Sequence, residues 1–458
     1  MRKIFLVFAL LAWAVLGNAE IIKTNTNNNF TLDEYIRLYL QNSPEVINTF
    51  NALKKAEINF KSKFIDLFLP SANLSANTEI TSKDNPGIHL DNPYDATLSL
   101  NWNLFNSWKD YLTYLQQKNT LKLARISFEN TMQDIALKAI ETYYDLKLKE
   151  SLLLVADNDL ISKKQQFDTT TSLYKAGLQN YTSYLQGDNN YKSAQLSAKQ
   201  KRATYEKSRI IFNNAIGRAP EEEVVLNYTL GEMAPLFISS YEEDLHTALL
   251  NRYDINQKII TLQNENLGHK ITTLRNLPSL NAGFSLVNSS RDIFGTNSNH
   301  TNYSLGLSLN VPIGFLGINN YYNIKLSEIN LTDSYMNFED LLRNIRKKVL
   351  DTRTELTLQE ESIKISEGNL KIAKERLEIT KKKYDIGDAT ALELADAQNA
   401  YLSAENSTTT YRYDYQLSQY SYKRILGLPI YDVSKLKLNE EFVNNKIKQI
   451  DQQFLKKK

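Results

Sequence analysis

The side chains able to do chemistry in this sequence are few and poorly spaced for it. There is no cysteine, which removes disulfides, thiolate nucleophiles, thiolate metal and iron–sulfur sites, and lipidation of an N-terminal cysteine. The four histidines, His89, His246, His269 and His300, are scattered, and none has a partner at metal-ligand spacing. Asp84, His89, Asp91 and Asp95 could gather around a cation, but they fall in a polar stretch that reads as an exposed loop. No glycine-rich loop followed by Lys-Ser or Lys-Thr is present, so energy must come from a partner. The runs Lys381-Lys382-Lys383 and Lys456-Lys457-Lys458 read as a solvated face and a tail. Lys and Arg number 54 against 52 Asp and Glu, and Arg2 with Lys3 account for the excess of +2. A chain this close to neutral is not held to nucleic acid by phosphate contacts. These residues point to no enzyme, no cofactor and no resident metal.

Composition speaks instead for long elements. Gly (15) and Pro (9) are scarce for 458 residues, so turns are few. The N-terminus reads as a secretory signal, residues 1–19: Arg2 and Lys3, an apolar run of 13 from Ile4 to Leu16, then small residues through Ala19, with cleavage before Glu20. That run is short of the ~20 residues a membrane-spanning helix needs. No later stretch approaches it, so the mature chain is either soluble outside the cytoplasm or embedded as a β-barrel.

The strongest feature is an internal duplication at an offset of 208 to 210 residues. Leu69-Pro70-Ser71 returns as Leu277-Pro278-Ser279, and Leu98-Ser99-Leu100-Asn101 as Leu307-Ser308-Leu309-Asn310. Tyr174-Lys175-Ala176-Gly177 returns as Tyr384-Asp385-Ile386-Gly387, with two further matches in the same order. The period is far too long for a solenoid, so one large unit is duplicated. The chain divides into a linker at 20–30, a first repeat at 31–219, a connecting equatorial segment at 220–239, a second repeat at 240–429 and a tail at 430–458.

Each repeat has one plan. A helical segment, Leu32 to Phe68 or Tyr241 to Asn276, is stopped by a proline and followed by two alternating strands. Then come long stretches almost free of breakers, Asn106 to Ala176 and Ile318 to Ile386. At 1.5 Å per residue, ~67 helical residues reach ~100 Å, beyond any compact globule. Ile345, Val349, Leu356, Ile363, Leu370, Ala373, Leu377 and Tyr384 form one coiled-coil seam; Ile135, Ala139, Leu146, Leu153, Ala156, Leu160 and Phe167 form a weaker one in the first repeat. A second seam, Leu358, Ile365, Ile372, Ile379 and Ile386, recurs every seven residues, so this helix has neighbours on two sides. Each long helix turns at Gly177 or Gly387, tips at about 174–183 and 384–391, and a shorter helix returns.

The four strand candidates, at about 71–82, 94–104, 279–288 and 302–313, are apolar on one face and polar on the other. Leu98, Leu100 and Trp102, like Leu305, Leu307 and Leu309, alternate with Ser99, Asn101, Ser308 and Asn310, the pattern of membrane-barrel strands with a lipid side and a lumen side. The smallest such barrels have eight strands, and no open edge survives in lipid, so further copies of the chain must close the barrel.

From Phe30 to about Pro429 the sequence resembles the outer-membrane efflux proteins, the TolC-like channel-tunnels. The likeness rests on the duplicated helix–Pro–strand–strand–long-helix plan, on Asn101-Trp102-Asn103-Leu104-Phe105 and Asn310-Val311-Pro312-Ile313-Gly314, and on Tyr384 through Ala397. It implies a mainly α protein with a membrane β-barrel: a homotrimer with a twelve-stranded barrel in the outer membrane and a helical tunnel across the periplasm. It further implies partners, a periplasmic adaptor (membrane fusion) protein docked at the hairpin tips and an inner-membrane pump. Drug efflux, metal efflux and type I protein secretion all fit. In the family, acids on the return helix narrow the entrance; the matching residues are Glu393 and Asp396, three apart on one helical face. A Tyr–Arg–Asp network helps close that entrance; here Tyr384 is kept, but Ala389 and Ser183 replace the Arg and the Asp. The alternative is a soluble periplasmic coiled-coil adaptor or structural protein, which would carry one hairpin flanked by compact β modules rather than two hairpins with strand pairs between helices.

Overall fold

The computed structural model describes residues 28–78, 81–82, 90–91, 94–227, 240–290, 300–312, 318–386 and 388–432. The signal sequence, most of the 220–239 connection, most of the tail, Asp84, His89 and Gly387 lie outside them.

The first repeat runs β1 (Asn29–Phe30), α1 (Leu32–Asn42), α2 (Pro44–Phe68), β2 (Ser71–Thr78), β3 (Thr81–Ser82), β4 (Leu90–Asp91), β5 (Tyr94–Asn106), α3 (Lys109–Lys175) and α4 (Tyr181–Ala215). After β6 (Val225–Leu226) the second follows with α5 (Tyr241–Asn251), α6 (Tyr253–Thr273), β7 (Ser279–Ser290), β8 (His300–Asn310), α7 (Ile318–Asp385) and α8 (Ala391–Ile425). The long helices hold 67 and 68 residues, matching the breaker-free stretches.

The opening helical segment of each repeat is two helices rather than one. Pro44 sits at the first position of α2, where its missing N–H costs nothing, and Ser43 before it is extended. In the second repeat the same break falls at Arg252 with no proline, so local sequence alone does not cause it. The cause is tertiary: Arg252 donates from Nη1 to the carbonyl of Ile425 at 2.8 Å, closing the end of α8 against the break. Beside it Gly427, at φ +74°, lies so close that an added Cβ would stand 2.6 Å from the backbone N of Arg252. Gly217 ends α4 in the same way beside Asn42.

One antiparallel sheet has the order β2-β5-β7-β8, so strands of both repeats meet at β5 and β7. The strands end elsewhere than the sequence suggests: β2 stops at Thr78, with Thr81–Ser82 paired separately to Leu90–Asp91, β5 and β7 run on to Asn106 and Ser290, and β8 spans His300–Asn310. A bulge between Asn103 and Phe105 shifts the β5 register. Ser107 and Trp108 then both take positive φ, turning the chain into α3, and Ser107 Oγ donates to the Pro278 carbonyl.

One core cluster sits where α1, α3, α4 and the C-terminal part of α8 meet, built on Tyr35, Tyr143, Phe212 and Leu40. At the duplicated positions the second repeat has Asp244, Arg353 and Tyr422 in place of Tyr35, Tyr143 and Phe212. Tyr35 stacks on Phe212 at 4.0 Å, whereas Asp244, 1% exposed, accepts from Arg353 Nη1 at 2.8 Å and the Tyr422 hydroxyl at 2.5 Å. One geometry is thus filled by aromatic stacking in one copy and by a buried ion pair in the other. Gln133 of α3 binds the backbone of Ile430 and Tyr431, fastening the chain beyond α8 to the first repeat.

Of the first α7 seam, Ile345, Val349, Leu356 and Ile363 are buried. The second seam, Leu358, Ile365, Ile372, Ile379 and Ile386, is 57–80% exposed, an apolar stripe left largely uncovered by the described residues.

Candidate functional site

The lower end of the helices carries the features that could gate a tunnel. α3 ends in a tight turn: Gly177 has φ +74°, its N–H reaches the Tyr174 carbonyl, and the Leu178 N–H reaches Leu173 at 2.9 Å. The same long bond, Asp388 N–H to the Lys383 carbonyl at 2.8 Å, flanks Gly387 in the second tip. The return helices start with side-chain caps. Asn180 Oδ1 accepts from the Ser183 N–H at 2.8 Å, and Thr390 Oγ1 from the Glu393 N–H at 3.2 Å.

Glu393 has a structural role of its own. Its Oε2 accepts the Thr390 N–H at 2.7 Å and the Thr390 hydroxyl at 3.0 Å, completing a capping box. These bonds to Thr390 hold its carboxyl below the usual carboxylate range. Glu393 and Asp396 are both exposed, while Leu394 and Ala395 between them and Ala397 just after are buried. The acidic side of α8 therefore faces away from its own chain. Ser183 and Ala389, at the two altered lock positions, serve the start of α4 and the approach to α8.

Tyr384 is half-buried on the wall of a cavity of about 410 Å³ between α3, α7 and α8, with Asp159, Lys381, Leu394, Tyr401 and Glu405. At its edge stands Lys163, 4% exposed and the one buried cation among the described residues. Its Nζ donates to Gln398 Oε1 of α8, and burial pulls its ammonium down from the ordinary lysine value while pushing the nearby Asp159 carboxyl up. Nothing in the sequence pattern singles out Lys163, because a lysine on a long helix ordinarily faces water. The first tip also carries an aromatic stack, Phe167 on Tyr191 and Tyr174 on Tyr184, which sequence reasoning passed over.

At the other end the register places the barrel candidates on one face. Leu98 lies opposite Leu74 and Leu286, Leu100 opposite Phe284, and Trp102 opposite Ala282; Leu305, Leu307 and Leu309 continue that face on β8. Ser99, Asn101, Ser285, Gly283, Ser304 and Ser308 fall on the other. The sheet edges at β2 and β8 have no partner strand among the described residues. No described helix is long and apolar enough to cross a membrane, and none of the described His, Asp or Glu residues form a group that could hold a metal.

The sequence profile of the outer membrane efflux protein family matches this chain twice, over residues 36–218 and 245–428, reproducing the duplication. This chain belongs to the outer membrane efflux protein family. It is accordingly an outer-membrane channel with a periplasmic helical tunnel, serving as the exit duct of an efflux system; it is no enzyme, and the soluble alternative falls. Solved structures share the fold. The Campylobacter jejuni CmeC outer membrane channel matches with a TM-score of 0.78 at 19% identity, over 91% of each chain. The Neisseria gonorrhoeae MtrE outer membrane channel, in its open state, matches at 0.75 and 15% identity, over 87% of this chain and 89% of its own. The Vibrio cholerae outer membrane protein VceC matches at 0.73 and 15%, over 87% and 97%. No curated protein matches the sequence.

Proposed function

We propose that three copies of this efflux-family chain close a twelve-stranded barrel and a continuous helical tunnel, with Glu393 and Asp396 of each copy ringing the periplasmic entrance. The observation that carries this reading is the four-stranded sheet, apolar on one face and open at both edges. In lipid those edges need partners, and four strands per chain let a cyclic assembly keep every neighbour antiparallel. The exposed stripe from Leu358 to Ile386 supplies the matching helix contact below. In this arrangement Leu98, Leu100, Trp102, Leu305, Leu307 and Leu309 face lipid, and the turns at Gly177 and Gly387 present the tips to a periplasmic adaptor that joins an inner-membrane pump.

The entrance ring would be acidic. Glu393 uses one oxygen for the capping box, leaving Oε1 to face the bore beside Asp396. Carboxylates gathered there repel one another unless cations sit among them, so the ring favours cations and is partly blocked by divalent ions. The test is single-channel recording in planar bilayers, with and without divalent cations, for wild type and Glu393→Gln/Asp396→Asn. Equal cation selectivity and equal block in both would remove these residues from the entrance.

A further inference from the structure

The polar contacts between α3 and α8 form a ladder. Nearest the core, Arg424 donates to Asp134 at 2.8 Å and to Asn130; farther down, Ser151 and Tyr413 share a hydrogen bond of 3.1 Å. The last rung is Lys163 to Gln398, and among the described residues no hydrogen bond joins these helices closer to the tips. From Lys163 to the end of α3 the helix continues for ~18 Å, at 1.5 Å per residue. Gln398 lies two residues beyond Asp396 and on the opposite side of α8 from the acids, half-buried against α3 rather than exposed.

This rung has no counterpart in the duplicated unit. The positions equivalent to Asp159, Lys163 and Gln398 are Asn369, Ala373 and Asp188, and Asp188 pairs with Lys192 on its own helix surface. A buried lysine is an expensive residue to keep without a partner, and here it ties a helix of the first repeat to one of the second. We propose that Lys163 is the positioning residue of the entrance: its bond to Gln398 holds the lower end of α8 against α3 and so sets where Glu393 and Asp396 stand.

This rests on the tunnel reading given above. Asp159, one turn away on α3, acts against the lowering that burial imposes on the Lys163 ammonium, and Lys381, Tyr384, Tyr401 and Glu405 line the cavity into which α8 would have to shift. Releasing the rung frees the last turns of α3 and the first turns of α8 to separate, widening the aperture without touching the barrel or the core.

The experiment records single channels of the purified full-length protein in planar bilayers, with heat-modifiable migration in detergent as the check on assembly. Lys163→Met and Gln398→Met each remove one side of the rung. Loss of a hydrogen bond to a charged group corresponds to about a tenfold rise in the open-to-closed ratio. Lys163→Gln/Gln398→Lys restores the rung with donor and acceptor exchanged and should return that ratio toward wild type, which a merely structural role for Lys163 would not do. A wild-type ratio in the assembled Met variants overturns the proposal, as does a shift that the reversed pair fails to correct. If Lys163→Met does not assemble, Gln398→Met decides alone. Failure of the wild type to conduct at all would instead overturn the tunnel reading on which the proposal stands.

Discussion

Replacing Gly427 by Ala should destabilise this protein far more than the same change at Gly177, although both glycines have φ +74°. The left-handed backbone costs an L-residue ~1–2 kcal/mol at either site. At Gly177 that is the whole effect, because an added Cβ meets nothing within 4 Å. At Gly427 the Cβ would lie 2.6 Å from both the Arg252 N and the Asn251 carbonyl carbon, and 2.9 Å from the Arg252 Cα. These are backbone atoms in the break between α5 and α6 and cannot rotate away. The end of α8 must shift instead, at an overpacking cost of ~1–3 kcal/mol, and the shift strains the Arg252 bond to the Ile425 carbonyl. Gly427→Ala should therefore cost roughly 2–5 kcal/mol in total. Gly217→Ala should fall between the two, since its Cβ meets only the Asn42 side chain, 3.3 Å from Oδ1. Thermal unfolding of the three variants in one detergent, followed by far-UV circular dichroism, gives the order directly. If Gly427→Ala melts together with Gly177→Ala, the close approach of α8 to the break is not real.

Three further outcomes follow from the same structure. Leu307→Arg should cost ~2–4 kcal/mol if that face meets mid-membrane lipid, whereas Ser308→Arg should assemble and alter conductance; the opposite pattern in outer-membrane fractionation would reverse the faces. Arg353→Met should cost ~2–4 kcal/mol by removing a partner of the buried Asp244, the lower end reflecting a partly exposed Arg. Installing the first repeat's trio as Asp244→Tyr/Arg353→Tyr/Tyr422→Phe should recover most of that loss, and no recovery in a melt would refute the equivalence of the two sites. Because its capping bonds depress the Glu393 carboxyl, the ionised group stabilises the start of α8 above the ordinary Glu range of ~4.3 and that contribution is lost as pH falls through the lower folded value. Hydrogen exchange at the start of α8 should show protection falling with acid in wild type and staying flat in Glu393→Gln; identical profiles would refute the assignment.

Much of the architecture was legible in the sequence because it is written in long-range regularities. Scarce breakers from Asn106 to Ala176 leave the backbone no reason to stop a helix, and α3 runs 67 residues. Period-two alternation fixes which side chains share a face once strands pair, and Leu98, Leu100, Leu305 and Leu307 do share one. The doubled seam on α7 separated Ile363, buried within the chain, from Ile365, exposed. The capping box at Thr390 and Glu393 is also present as a local pattern, although the family resemblance assigns Glu393 to the entrance alone.

What tertiary structure decided are the features that depend on which atoms meet. The break at Arg252 has no proline to announce it; it exists because the end of α8 docks there through Gly427 and the Ile425 carbonyl. The exchange of an aromatic trio for Asp244, Arg353 and Tyr422 becomes visible only when three distant helices are brought together. Lys163 looks like any surface lysine along its own helix, and its burial is imposed by α8, more than two hundred residues later in the chain. Periodicity states that a face will be covered. Only packing states which residue covers it, because the energy of a buried polar group is set by its partner and not by its place in the sequence.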